Sequence, residues 1–502
     1  MTLSILIWLP LAVSVGGLAV PRRLVGWASV VGSLVTLGIA LSFLIRFQNG
    51  HSGLQFITDS VWISSLGIHY KLGLDGLNVL LVVLTCVLFC ASLAWSAFRD
   101  WERPQLFYFH LGLAQSAVLG AFCIQDLALF VAFFDLMLVP FYFLVGMWGG
   151  PERIRATTKL IIYTLVGSLL MLAAAVATGV LASSEHGTPL TFALSSLQHL
   201  PLSHSTQEWI FACFALAFLI KMPLVPFHGW LADGYKQMPI PAVAVFSGVV
   251  SKVAAYGFLR IVVSLFPYAA VHYQTLILVI ALVSIVWGTA AAFTTPDARM
   301  VVAYSSVAQL SFITLGIFSL QPQGDQGAVL QMVNHGLVTA PLFFVVAALA
   351  ARAGGSERLK DMGGIAFRAP VLAGLFLVVT LATLAMPGSS NFIGEFMILL
   401  GTFKAHLVIA IIAFVGVVGA AFYSLRLFIS SVHNRVTPPV KSFDLRLPEL
   451  AALVPLVLVI LALAFYPQWG LRRSAATVRA TLAPTRAQAA LTAYQPIRTI
   501  TP

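Results

Sequence analysis

The chain has 502 residues, of which 60% are hydrophobic and only 9% charged, with a mean hydropathy of +0.96. A water-soluble fold of this length needs far more polar surface, so composition excludes the soluble classes and points to an all-α polytopic membrane protein. The net charge of +11 does not indicate nucleic acid, because the basic residues are scattered through loops without runs or aromatic interleaving.

Apolar windows long enough to cross about 30 Å of hydrocarbon fall at 2–20, 24–46, 75–97, 108–125, 127–148, 157–182, 209–236, 240–265, 273–294, 300–320, 326–351, 368–402, 406–430 and 447–467. They predict fourteen transmembrane helices. The first window follows Met1 without a basic region or a clear cleavage site, so it is read as a retained helix. Cys86, Cys90, Cys123 and Cys213 lie in apolar windows without ligand or disulfide spacing and read as small core residues.

Two windows are too long for one straight span. Each contains an interruption, KMPLVP in 209–236 and MPGSSNFIGE in 368–402, and each reads as a discontinuous helix. They occupy the fourth place in two successive five-helix groups, helices 4–8 and 9–13. Paired breaks of this kind point to an internal repeat, and an odd repeat length makes the two copies inverted. The expected divisions are 1–107 for helices 1–3, 108–266 and 267–431 for the two repeats, and 432–502 for helix 14 and the C-terminal tail. No segment is large enough for a separate soluble domain.

Loops on one side hold sixteen Lys and Arg, Arg299 and Arg435 among them, against Arg46, Lys71 and Lys404 opposite. The positive-inside rule makes the first side cytoplasmic and puts the N-terminus outside. The tail from about 471, with Arg472, Arg473, Arg479, Arg486 and Arg498, runs against that bias.

Charges within the windows carry the chemistry. Lys221 precedes Pro223 and Pro226 in FLIKMPLVPF, where a lysine at membrane depth requires a partner or water. Asp135, five residues before Pro140, is the partner expected to face it. If both are charged, a proton arriving on one alters the affinity of the other. A static ion pair is the alternative. Lys252 in VFSGVVSKVAAYGFLR is about 18 Å from either helix end by helical rise, too far to snorkel. Two amines close together in a low dielectric cannot both stay fully protonated, which makes a relay feasible. His335 in QMVNHGLVTAPLFF can transfer protons near neutrality. Glu395, just past the second break, is read as a terminal proton donor or acceptor, with a carboxylate bonded to freed backbone as the alternative.

His228 and Trp230 either line water near an entry or pack the break. Asp75 and Asp126 read as helix caps, Arg299 and Asp297 as a loop pair, and Glu449 and Arg260 as interfacial residues. No nucleotide loop, cysteine cluster or paired haem-type histidines occur, so no redox centre is expected in this chain.

The segments GLDGLNVLLVVLT, LFVAFFDLMLVPFYFLVGMWGG, KMPLVPFHGWLADGYKQMPIPAVAVFSGVVSKVAAYGFLR, AYSSVAQLSF, QMVNHGLVTAPLFF and LATLAMPGSSNFIGEFMILLGTF resemble the antiporter-like membrane subunits of respiratory complex I, bacterial NADH-quinone oxidoreductase, in particular its chain M group. The resemblance spans nearly all of 70–430. It implies fourteen helices with two inverted five-helix repeats, and proton translocation driven by quinone reduction elsewhere in the complex. It implies a relay of Asp135, Lys221, Lys252, His335 and Glu395, with Asp135 standing where the family has glutamate. NADH, FMN, iron-sulfur clusters and quinone are then expected in partner subunits and no cofactor in this chain. The expected partners are other membrane subunits, lipid, protons and internal water, in a bacterial plasma membrane. Gln309 stands where the family commonly has histidine, and Met300 where a basic residue is usual. A cation/proton antiporter subunit, or a subunit of a ferredoxin- or hydrogenase-linked complex, would share these residues.

Overall fold

The computed structural model describes residues 2–434, 441 and 443–493, so Arg435 and Arg498 lie outside the described residues. The chain begins with α1 (Leu3–Gly17) and α2 (Val25–Arg46), followed by an antiparallel hairpin of β1 (Gln55–Ile63) and β2 (Ile68–Leu74). The hairpin falls within what the hydropathy pattern leaves as a plain connection. Its turn closes through Gly67, whose left-handed φ of 61° and contact with the Leu190 carbonyl leave no room for a side chain.

Next come α3 (Val79–Ala97), α4 (Pro104–Cys123), α5 (Leu127–Leu136), α6 (Leu138–Trp148), α7 (Arg153–His186) and the short α8 (Leu194–Leu197). Asp126 does cap α5, accepting the Ala128 and Leu129 N–H groups at 3.0 and 3.2 Å. Pro140 deprives the Leu136 carbonyl of a donor, and the helix is interrupted there between α5 and α6. The first broken window becomes α9 (His204–Lys221) and α10 (Gly229–Gln237). The following window comprises α11 (Ile240–Val245) and α12 (Ser251–Gly257), with π-helical stretches at Phe246–Val250 and Phe258–Val263.

The second half holds α13 (Pro267–His272), α14 (Gln274–Thr294), α15 (Ala298–Ile317), α16 (Pro322–Arg352) and α17 (Ile365–Arg368). The second broken window becomes α18 (Pro370–Thr383) and α19 (Ser390–Ala405). Then follow α20 (Leu407–Val432), α21 (Leu447–Phe465) and α22 (Gln468–Ala493). The described part of the tail, 468–493, is thus a helix. Its weak apolar face escapes a hydropathy window, yet it is pinned to the body: Thr477 accepts the Gly76 N–H, and Thr485 donates to the Val263 carbonyl at 2.6 Å.

Among the described residues eleven helices are long and apolar enough to cross a membrane, counting 127–148 and 240–263 as one each, and α1 and α18 are shorter apolar helices. Burial sorts them into two layers. The segment 240–263 is wholly buried and α15 and α16 nearly so, whereas α7, α14, α20 and α21 bury well under half of their span windows. The first group forms the interior, and the second presents apolar faces such as Val166, Leu169, Ile411 and Val415 outward. All four cysteines are free, and Cys86 and Cys123 are buried.

Candidate functional site

Five charged or titratable residues expected at membrane depth are placed on interior-facing elements. Lys221 ends α9. The Met222 and Leu224 N–H groups still bond back to Phe218 and Leu219, and Val225 turns out of the helix, donating to Ser284 Oγ of α14 at 2.9 Å. Trp230 donates to the Ile220 carbonyl at 3.0 Å, satisfying an acceptor that the break exposes. Trp230 therefore packs the break. His228 lies half-buried against Trp287, ring centroids 3.9 Å apart, and its Nδ1 meets no acceptor or donor of the described chain.

Lys221 is 2% exposed, and its ammonium lies 4.8 Å from the Phe134 ring centroid. The neighbouring Asp135 is close enough for the two charges to interact, but they form no direct ion pair among the described residues. Lys221 Nζ and Asp135 Oδ1 are both buried without a hydrogen-bond partner there. The contact expected from sequence is thus replaced by a gap, consistent with a carboxylate one methylene shorter than glutamate.

Lys252 is fully buried between the two π stretches, and its amine donates to the Ser247 carbonyl. Such turns widen the helix and free backbone carbonyls, which is how an interior lysine obtains an acceptor without a counter-ion. At this level the Lys252 segment crosses α16 in backbone contact: a Cβ on Gly336 would lie 2.5 Å from the Gly248 carbonyl oxygen. That crossing brings His335 to Lys252, near enough for their charges to interact, and His335 Nδ1 has no partner in the described chain.

Glu395 lies in the second turn of α19, beyond a break in which Ala385 and Gly388 have φ of 51° and 92°. It is 2% exposed. Its Oε1 accepts from Gln309 at 2.9 Å and from Gln331 at 3.3 Å, and Gln331 also donates to Gln309 Oε1 at 3.0 Å. The partners are amide side chains, not the freed backbone that the alternative reading of Glu395 requires. Asn334 donates to the Ser390 carbonyl at 2.6 Å, tying α16 to the break itself. The helix α16 thus carries His335 toward Lys252, Gln331 to Glu395 and Asn334 to the second break.

Gln331 had no signal in the sequence, since a glutamine on an apolar helix acquires meaning only from what faces it. Four peripheral expectations need correction. Asp75 does not cap α3: it pairs with Arg260, while Asn78 sits at the cap position. Arg260 is consequently buried rather than interfacial and also donates to the Tyr256 hydroxyl at 3.0 Å. Glu449 is buried too, pairing with Arg352 at 3.0 Å and accepting the Arg446 N–H. Arg299 pairs with Glu357 at 2.9 Å and donates to carbonyls at the end of α10, while Asp297 pairs with Lys236. Each of these partners is too distant in sequence to be read from local pattern. Among the described residues no group of three His, Cys, Asp or Glu is placed to hold a metal ion.

Residues 125–422 match the family described as NADH:quinone oxidoreductase/Mrp antiporter, transmembrane. NADH-quinone oxidoreductase subunit M of Rhodobacter capsulatus is 35% identical over 480 residues, covering 93% of either chain. A chain in the structure of respiratory complex I from Thermus thermophilus superposes with a TM-score of 0.87 at 30% identity, covering 96% of this chain and all of that one. A chain of the Mrp complex from a Dietzia species shares the fold, with a TM-score of 0.82 at 22% identity over 97% of this chain and 99% of its own. With a family match over more than half its length and a relative aligned almost end to end, the chain belongs to the antiporter-like transmembrane family of NADH:quinone oxidoreductases and Mrp antiporters.

Proposed function

We propose that this chain is a proton-translocating, non-redox membrane subunit of a complex I type NADH-quinone oxidoreductase. The observation that carries this reading is a series of buried ionisable groups with unfilled hydrogen-bonding capacity, running from one broken helix to the other. Lys221 with Asp135 stands at the first break, Lys252 with His335 at the helix crossing, and Glu395 at the second break. A membrane interior tolerates such groups only where they pair or meet water, and leaving them incompletely paired has no structural benefit. Water bridging the gaps would let a proton pass between neighbouring groups. Lys221 and Lys252 alternate between ammonium and amine, and Glu395 between carboxylic acid and carboxylate. Asp135 sets the proton affinity of Lys221.

The same reading takes the chain as fourteen crossings, with two inverted five-helix repeats at 108–266 and 267–431 and a site from each near the bilayer midplane. The N-terminus lies outside a bacterial plasma membrane. NADH, FMN, iron-sulfur clusters and quinone are held by partner subunits, and energy from quinone reduction reaches this chain through its neighbours. His228 lies on the cytoplasmic approach to Lys221.

The test is to purify the native assembly, identify its companion subunits and reconstitute it in vesicles. Lys221→Ala and Glu395→Ala are expected to assemble normally, with reduced pumping and reduced coupled turnover. Undiminished pumping at full quinone reduction in both variants refutes the relay. Companions consisting only of small antiporter subunits, with no redox partner, would establish the Mrp-type alternative, whose large subunits share this fold.

A further inference from the structure

Among the described residues, the fully buried carboxylates other than Asp325 each have a visible partner. Asp75 has Arg260, Glu449 has Arg352, Asp126 holds the first N–H groups of α5, and Glu395 accepts from two amides. Asp325 differs. It is 0% exposed in the first turn of α16, and neither carboxyl oxygen has a hydrogen-bond partner among the described residues. It is therefore neither a helix cap nor half of an ion pair, and the helix dipole offsets only a small part of the cost of burying it.

Its place in the packing relates it to Glu395. The start of α16 and the body of α19 are in backbone contact. A Cβ on Gly327 would lie 2.9 Å from the Gly394 carbonyl oxygen, and one on Gly401 2.5 Å from the Gly324 nitrogen. Asp325, between those two glycines of α16, is therefore level with the α19 segment that follows Glu395, toward the end of α19. On its own helix it precedes Gln331, the amide that holds Glu395, by six residues, or roughly 9 Å of helical rise.

We propose that Asp325 is a further proton-carrying group, taking the proton that Glu395 releases and passing it to the membrane face where α16 begins. This rests on the relay reading above. In the step, the Glu395 carboxylic acid gives its proton to intervening water and becomes a carboxylate. The water passes a proton to the Asp325 carboxylate, which becomes the acid. No electrons move, and release to the aqueous face restores Asp325.

The test uses the whole reconstituted complex with Asp325→Asn, Asp325→Glu, Glu395→Gln and Lys252→Ala. Asp325→Asn is expected to lower protons pumped per quinone reduced several-fold, with Asp325→Glu recovering most of the loss. Wild-type pumping in Asp325→Asn alongside a defect in Glu395→Gln and Lys252→Ala overturns the assignment and leaves the relay standing. Normal pumping in all four overturns the relay itself. If Asp325→Asn does not assemble, the native complex is treated with dicyclohexylcarbodiimide, which modifies protonated carboxyls in apolar surroundings, and the adducts are mapped by mass spectrometry. Modification of Asp325 at a rate that changes with turnover supports the proposal. A rate independent of turnover overturns it.

Discussion

The two broken helices use one backbone device and surround it with opposite electrostatics. At the first break the charged group, Lys221, ends the helix before the gap and rests on an aromatic face, with no hydrogen bond to the described chain. At the second, Glu395 follows the gap and is held by Gln309 and Gln331. Proline removes the same backbone donors in both cases, so the difference is in the side chains that neighbouring helices supply. A cation over a ring has no fixed direction to its contacts, whereas a carboxylate between amides has two. On the proposed relay, the first site would respond to a change in the charge of Asp135, whereas the second holds its group between two amides.

The largest effect expected from this contrast is at Lys221. Among the described residues no other amine stands at the first break, so Lys221→Ala should lower the pumping rate on the order of a hundredfold, the range typical of losing a proton-transferring group. Glu395→Ala leaves Gln309 and Gln331 lining a polar cavity that can hold water in place of the carboxyl, so the loss should be smaller than in Lys221→Ala. Vesicle acidification during turnover measures both. Equal losses would break the comparison.

Much of this arrangement is legible in the sequence where the signal is local. KMPLVP and MPGSSNFIGE mark both breaks, because proline and glycine act on the chain within a turn of where they stand. Asp126 is readable as a cap for the same reason. The partners of Glu395 are not legible, since Gln309 and Gln331 stand 86 and 64 residues away. The Asp75–Arg260 pair, 185 residues apart, was equally hidden, and Asp75 near a helix start looks like a cap until the fold brings Arg260 beside it. The hairpin and α22 escaped for another reason: both are too polar for a window tuned to hydrocarbon thickness.

A smaller effect is expected from the amides. A hydrogen bond to a charged group contributes about 1.5–3 kcal/mol, so replacing Gln309 and Gln331 together by leucine should free Glu395 from its position. Pumping should fall several-fold, but by less than in Glu395→Ala, because the titrating group itself is retained. The single variants should each fall between the double variant and the wild type, since Oε1 keeps one donor in either case. A double variant with wild-type pumping would mean that the second site, like the first, works without being held.

The smallest effect should come from Asp135→Glu. One added methylene lets the carboxylate reach toward Lys221, converting an interaction across a gap into a direct ion pair. If the gap is what lets Lys221 respond, closing it makes the two breaks alike, each with a hydrogen-bonded charge. Turnover should then slow slightly while protons pumped per quinone stay unchanged, because the pair still exchanges its proton but holds it more firmly. The ratio of pumping to quinone reduction, measured in the same vesicles, separates this from uncoupling. A ratio that drops as far as in Lys221→Ala would show that the gap between Asp135 and Lys221 is required for translocation and does more than set its speed.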